Sequence, residues 1–358
     1  MTIAEYSAIT NKRVYIMKHK ESMGKMLKRI KRKITLLVIN LMMLMLVACG
    51  KKGEETVICD VNLGVSEYEN IDIMGVTYEL FSNGYASIEK IKNANAVIQE
   101  DVEYQGKTYK VIVVGHVYTP DERRGATNIQ TGVFGGQYSG IEAPEILKIP
   151  ESVIYIGDSG LSYGTSKEII LPSNLQAIAG KAFEGCKNVT TLEIPSTVKQ
   201  MGGANTFYNC TNLQEVIIPS DCELIMCKAT YGECESIKSA EVGGDRIGRM
   251  TFYNCYELEN VVIREGITAV ETWSFDNCPK LKKVVLPESL TTLNHGIFKS
   301  CSGLEEVVLS DGLTDVPNDL FVNEYGQVIE PKGVTIKVKD SMVDYVQSIY
   351  PSAIVVAK

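Results

Sequence analysis

Between residues 145 and 321 the apolar positions return on a long beat. An aromatic residue is followed three positions later by Cys and, three further on, by an aliphatic side chain. The instances are Phe183/Cys186/Val189, Phe207/Cys210/Leu213, Tyr231/Cys234/Ile237, Phe252/Cys255/Leu258, Phe275/Cys278/Leu281 and Phe298/Cys301/Leu304. Successive aromatics stand 24, 24, 21, 23 and 23 residues apart. A short alternation of strand type follows each triplet, often closed by proline, as in Leu192-Glu193-Ile194-Pro195, Val216-Ile217-Ile218-Pro219 and Val284-Val285-Leu286-Pro287. The phase extends upstream through Leu147-Lys148-Ile149-Pro150 and Ile169-Ile170-Leu171-Pro172, and downstream through Val307-Val308-Leu309-Ser310. A period in this range predicts a stacked array.

The pattern carries its own physics. One short strand and one aromatic-to-Cys turn cannot bury their apolar sides alone. Stacked, the strands align into a parallel sheet and the inward residues fuse into one core. Proline leaves the ladder without forfeiting a donor there. Strand ends at Pro150, Pro172, Pro195, Pro219, Gly243, Arg264, Pro287 and Ser310 count eight coils, and Phe183, Phe207, Phe252, Phe275 and Phe298 are expected in one internal column.

The unit Ala182-Phe183-Glu184-Gly185-Cys186-Lys187-Asn188-Val189, running on to Pro195, resembles the repeat of BspA-type leucine-rich-repeat surface proteins. The resemblance covers roughly 145–321. It implies a leucine-rich-repeat solenoid with a parallel β-sheet face, capped by β structure in front and by a short strand and helix behind. It also implies an exported protein used in adhesion to host or neighbouring-cell surfaces. Two stretches depart from the repeat: Tyr231–Val242, with Tyr for Phe, Ala240 in the strand and Gly243-Gly244 for proline, and 116–145, where Pro120 to Gly125 reads as an excursion loop. Both are places where the coil is expected to bulge.

The expected organisation is a leader over 1–48, a tether over 49–70, a β cap over 71–115, repeats over 116–325 and a C-terminal cap over 326–358. Turn signals at Asn83-Gly84 and Gln105-Gly106 punctuate the first cap, and Val334–Val338 then Asp340–Tyr350 read as the last strand and helix. The leader shows a basic cluster, Lys28 to Lys33, then an apolar run from Ile34 to Ala48 that is too short for a bilayer span. Met26 would open a leader of ordinary length. Leu46-Val47-Ala48-Cys49 resembles the lipobox of bacterial lipoproteins, which implies cleavage before Cys49 and acylation of its thiol. An ordinary cleaved signal or an uncleaved anchor is the alternative.

Charge then narrows the partners. The net charge of −8 mixes two objects, because ten of the 36 Lys+Arg but two of the 44 Asp+Glu precede Cys49. From Cys49 onward 26 basic residues face 42 acidic ones, about −16, a field that repels phosphate backbones and disfavours nucleic acid.

Little in the chain suggests reaction chemistry. The repeat cysteines share one slot, so their side chains point the same way. A buried thiol column fits that arrangement better than disulfides between coils. Cys222 and Cys227 leave two readings open, a local disulfide or, with Cys234, a metal site without a zinc-type spacing. The three histidines, His19, His116 and His295, stand far apart and form no catalytic set. Gly132 to Gly140 lacks the Gly-Lys-Ser/Thr of a phosphate loop. No enzyme, metal or cofactor is expected.

A binding surface is expected on the outward strand face. Its central row holds Lys148, Ile170, Glu193, Ile217, Glu241, Val262, Val285 and Val308, and the run Val262, Val285, Val308 is a candidate patch. Strand packing by β-branched residues explains the same run without a partner. Trp273, alone of its type, sits in the slot of Lys181 and is either an exposed anchor or edge packing. The expected protein is lipid-anchored in the cell envelope and faces outward. It binds protein or glycan on host or microbial surfaces, with an envelope scaffold or a carbohydrate-capture accessory as alternatives.

Overall fold

A computed structural model describes residues 68–115, 133–134, 140–217, 222–225 and 228–358. The leader, Cys49, His19, His116, the stretch 120–125 and Cys227 lie outside the described residues. Among the described residues no helix is long and apolar enough to cross a membrane.

The described chain opens with five strands: β1 (Tyr68–Ile73), β2 (Val76–Phe81), β3 (Tyr85–Ile91), β4 (Asp101–Tyr104) and β5 (Lys107–Val114). β1, β2 and β3 form an antiparallel meander, β5 pairs parallel with β3, and β4 folds back antiparallel on β5. Met74-Gly75 and Gln105-Gly106 turn the two tight hairpins with φ > 0 at both positions, the geometry that suits strand twist. Val113 and Val114 then pair with Tyr155 and Ile156 of the first coil. The lead-in strands and the coils therefore share one sheet, and β5 covers an edge that would otherwise stand open.

Each coil but that of Glu306–Val308 has two short strands. The front face runs through Ile146–Lys148, Glu168–Ile170, Thr191–Glu193, Glu215–Ile217, Ser239–Val242, Asn260–Ile263, Lys283–Val285 and Glu306–Val308. It continues through Thr335–Val338 and Ile354–Ala357, all neighbours parallel where they are hydrogen-bonded. The ladder is interrupted between pairs, so the face is a row of short sheets. Behind it, Tyr155–Ile156, Ala177–Ile178, Gln200–Gly202 and Glu223–Ile225 form one parallel series. Arg246–Ile247, Ala269–Val270 and Thr292–Leu293 form another. The repeat pattern had predicted only the front strand. The back strands, of two or three residues, are too short to leave an alternation in the sequence.

Between front and back lies the aromatic column. Phe183, Phe207, Tyr231, Phe252, Phe275, Phe298 and Phe321 stack at centroid distances of 5.2–5.8 Å, and Tyr350 closes the file edge-on at 5.4 Å. Offset stacking at this distance is favourable beyond the area it buries. Two expectations need correction here. The coil of Tyr231 does not bulge at its ring or its strand, because a phenol ring fills the same slot as a phenyl and Ala240 keeps register with Val261. The column also outlasts the Phe-x-x-Cys signature, since Phe321 needs no Cys to stack.

The cysteines form the next file. Cys186, Cys210, Cys234, Cys255 and Cys278 are buried, and each Sγ donates to the main-chain oxygen of the preceding coil. Cys210 reaches the Phe183 oxygen (3.0 Å), Cys234 that of Phe207 (2.9 Å), Cys255 that of Tyr231 (3.1 Å) and Cys278 that of Phe252 (3.0 Å). The thiols therefore do more than fill space. They add a second donor to turn carbonyls such as those of Phe183, Phe207 and Tyr231, which already accept from the N–H of Cys186, Cys210 and Cys234.

At the C-terminus Thr335–Val338 leads through a 3₁₀ turn, Asp340–Met342, into helix α1 (Val343–Ile349). The chain does not stop at the expected helix. Ile354–Ala357 adds a parallel strand beside Thr335–Val338, and Tyr350 sits under the last coil with its hydroxyl on the Pro317 carbonyl.

Candidate functional site

The front face is built by alternation. In each three-residue strand the middle side chain is buried and its neighbours point out, as in Leu192 between Thr191 and Glu193 or Val284 between Lys283 and Val285. Pairing sets the rows: Lys148 opposes Ile170, Glu193 opposes Ile217, Glu241 opposes Val262, and Val285 opposes Val308. Of the fifteen exposed large apolar residues among the described residues, seven lie on these strands: Ile146, Ile170, Ile217, Val262, Val285, Ile354 and Val356. Val262 is 60% exposed and Val285 48%, so neither fills the interior.

The other predicted residues are placed differently. Glu193 is exposed, whereas Glu241 is half-buried and held by Arg264 Nε at 2.6 Å, with Arg264 Nη1 also reaching the Cys222 carbonyl. Val308 is half-buried and is followed in its row by Lys337, then Val356. Beside it Glu306 lies between Lys283 (2.8 Å) and Lys337 (3.0 Å). Hydrogen bonds from the Lys283 and Lys337 ammonium groups hold its carboxyl below the usual carboxylate range. The patch around Val262 and Val285 is thus apolar at its centre with fixed charges of both signs at its rim.

Trp273 is on another edge. Every aromatic of the column is flanked two residues before and two after by turn positions, most of them in left-handed backbone: Lys181 and Gly185, Asn205 and Asn209, Met250 and Asn254, Trp273 and Asn277. Asn tolerates this region better than most side chains, which explains its recurrence. Trp273 is half-buried, with Arg249 Cζ 4.9 Å and Lys299 Nζ 5.3 Å from its ring centroid. The indole lies over Gly296, where a Cβ would come within 2.7 Å of the ring. Tyr163 lies over Gly185 in the same manner. The Tyr163 hydroxyl donates to Glu184 Oε1 at 3.0 Å, yet burial outweighs that bond and raises the Glu184 carboxyl above its ordinary value.

A pH test follows from Glu184. Its folded carboxyl is raised, so ionisation costs stability above the folded value and nothing below the unfolded one. Glu184→Gln keeps an acceptor for Tyr163 and is expected to unfold at higher temperature than the parent at neutral pH. That advantage should vanish on acidification through the carboxyl range. Thermal scans across pH check it, and an advantage independent of pH would contradict it.

One groove stands out on the same edge, with a volume of about 700 Å³, between the turns of coils 253–304 and residues 321–334. Val322 bridges Val328 antiparallel, and Asn323 closes the turn between them. The expected boundary between the repeats and the C-terminal cap, at 325/326, falls inside this hairpin, which the repeat pattern does not predict. The signal that could have revealed it is Asn323-Glu324-Tyr325-Gly326, turn residues flanked by valines. His295 lies at the exposed rim of the last coils, its Nδ1 2.8 Å from Asp319. No group of three metal-ligating side chains comes together among the described residues.

Comparison with known proteins adds to this geometry. The family described as "BspA type Leucine rich repeat region" matches in six copies over residues 127–245 and 230–330, more than half of the chain. No curated protein matches the chain. Among solved structures, a leucine-rich repeat protein from Bacteroides ovatus shares 18% identity at a TM-score of 0.49, covering 75% of this chain and 70% of that one. A leucine rich cell surface protein from Faecalibacterium prausnitzii shares 17% at 0.45, covering 78% and 72%. The T. pallidum leucine rich repeat protein shares 18% at 0.39, covering 66% and 91%. Solenoids of this kind typically serve as binding scaffolds for proteins. With the repeat matched copy by copy along the coils, the chain belongs to the BspA-type leucine-rich-repeat family.

Proposed function

We propose that this protein is a non-enzymatic binding module, anchored to the cell envelope through a lipid on Cys49 and facing outward, that grips protein partners with its front face. The observation that carries this reading is the concentration of exposed aliphatic residues on that one face. Burying Val262 and Val285 against a partner replaces water on surface that the fold itself leaves wet. The surrounding ion pairs, Lys283–Glu306–Lys337 and Arg264–Glu241, are already fixed, so a complementary partner loses little side-chain freedom in meeting them. Several copies on one membrane would multiply a modest contact by avidity.

The reading is tested by affinity capture from host and microbial surface extracts, comparing the parent with a Val262→Glu, Val285→Glu double variant. Two charges set on opposing partner surface should weaken retention at least roughly tenfold, about 1.4 kcal/mol, without unfolding the protein, because both sites are solvent-facing. Equal retention by the variant would sink the front-face assignment. Capture of envelope proteins alone would favour a scaffold role over adhesion. Incorporation of labelled fatty acid, abolished by Cys49→Ala, checks the anchor.

A further inference from the structure

The groove beside the hairpin borders the start of two front strands at Leu304 and Val334 but takes in none of the outward residues of that face, and its chemistry differs. Its floor consists of two rows contributed one residue per coil. The first row is Asn254, Asn277 and Ser300, each two positions after its stacked aromatic. The second row is Tyr253, Asp276 and Lys299, each one position after it. The stacked rings of these coils stand 5.2–5.8 Å apart, and the rows flank them one residue per ring.

The side chains are fixed before any ligand arrives. Asn277 Nδ2 donates to Asn254 Oδ1 (2.8 Å), and Asn254 Nδ2 donates to Glu233 Oε1 (3.3 Å), so the amides form a directed chain. That chain leaves the Asn277 carbonyl oxygen without a described donor. Asp276 is 2% exposed and paired with Lys299 Nζ at 3.0 Å. Ile329, Glu330, Pro331 and Lys332, from the segment after the hairpin, complete the lining. On the hairpin tip, next to the lining Glu324, Tyr325 is 78% exposed and packs in no core.

We propose that this groove is a binding site for a neutral oligosaccharide. The repeat of the floor is comparable to the length of one sugar ring, so each coil can present its amide or hydroxyl to one ring of a chain lying along the array. An extended peptide repeats its same-side groups every ~6.7 Å and loses register with the coils within a few residues. With Asp276 neutralised by Lys299, Glu324 and Glu330 outnumber Lys332 in the lining, so an anionic ligand is disfavoured. Oriented amides match the donor and acceptor pairs of vicinal hydroxyls. The exposed Tyr325 ring offers a flat apolar surface for the C–H face of a sugar.

The test uses the full chain on a printed panel of neutral glucans, galactans, mannans and N-acetylhexosamine oligomers, with a panel of unstructured peptides alongside. The best-retained oligosaccharide is then titrated into the parent, Asn277→Ala and Tyr325→Ala. Retention of at least one oligosaccharide is expected, with affinity falling roughly tenfold or more in each variant. Tyr325→Ala should keep the parental melting temperature, since its ring is solvent-facing, and so separates lost binding from lost fold. The Val262→Glu, Val285→Glu variant should bind the sugar as the parent does, so this site and the front face stand or fall separately. Retention of no sugar, sugar binding indifferent to both groove variants, or retention of peptides alone would each overturn the proposal.

Discussion

Phe252→Ala is expected to destabilise the protein by about 3–5 kcal/mol, the cost of emptying an aromatic site in a core that cannot collapse. Phe252 is fully buried and stacks on Tyr231 at 5.3 Å with rings 3° from parallel, and on Phe275 at 5.2 Å and 12°. Neither neighbour can move in to fill the void, because each is held by the next ring of the file. Its backbone is fixed as well, with the N–H on the Ser274 carbonyl and the carbonyl accepting from Cys278. For an array of this size the loss corresponds to a fall in melting temperature on the order of 10 °C. Val285→Ala on the front face should change stability by under about 0.5 kcal/mol. Chemical denaturation of both variants checks the contrast. Similar small losses for the two would mean that the aromatic file is not the spine of the fold.

How far the sequence revealed this architecture depended on how many residues carried each signal. The column and the outward rows were legible because they recur at one slot in six consecutive units, so a substitution such as Phe to Tyr at 231 weakened the pattern without hiding it. Reading that coil as a bulge gave too much weight to ring identity, since a stack needs only a flat ring of that size. The back strands were illegible because Ala177–Ile178 or Thr292–Leu293 is too short to alternate. Ile354–Ala357 was missed because a chain end after a helix offers no phase to extend. The groove depends on the meeting of turn residues from successive coils with a hairpin some twenty residues further on. That juxtaposition exists only after stacking. Asn254 and Asn277 each stand two residues after a column aromatic, but nothing in the sequence indicates that their amides join.

Thiol chemistry offers the sharpest kinetic contrast. Cys186, Cys210, Cys234, Cys255 and Cys278 are buried, and burial pushes each of these thiols above its ordinary value. The thiolate is the reactive form, so both access and ionisation oppose modification. Alkylation should therefore require opening of the coil, with protection relative to the denatured chain of at least ~10³-fold. Cys301 is half-buried and lines the groove, so it should be alkylated first among these six. Phe252→Ala should release Cys255 and Cys278 ahead of Cys186, because the void opens beside them. The same geometry argues against cross-linking between coils. Joining two of these sulfurs would remove the hydrogens they give to the Phe183 and Phe207 carbonyls and leave each buried oxygen with one donor, the N–H of Cys186 or of Cys210. Peptide mapping of the protein purified without reductant should then find Cys210 and Cys234 unpaired, and a disulfide between them would show that the thiol file does not survive in an oxidising space.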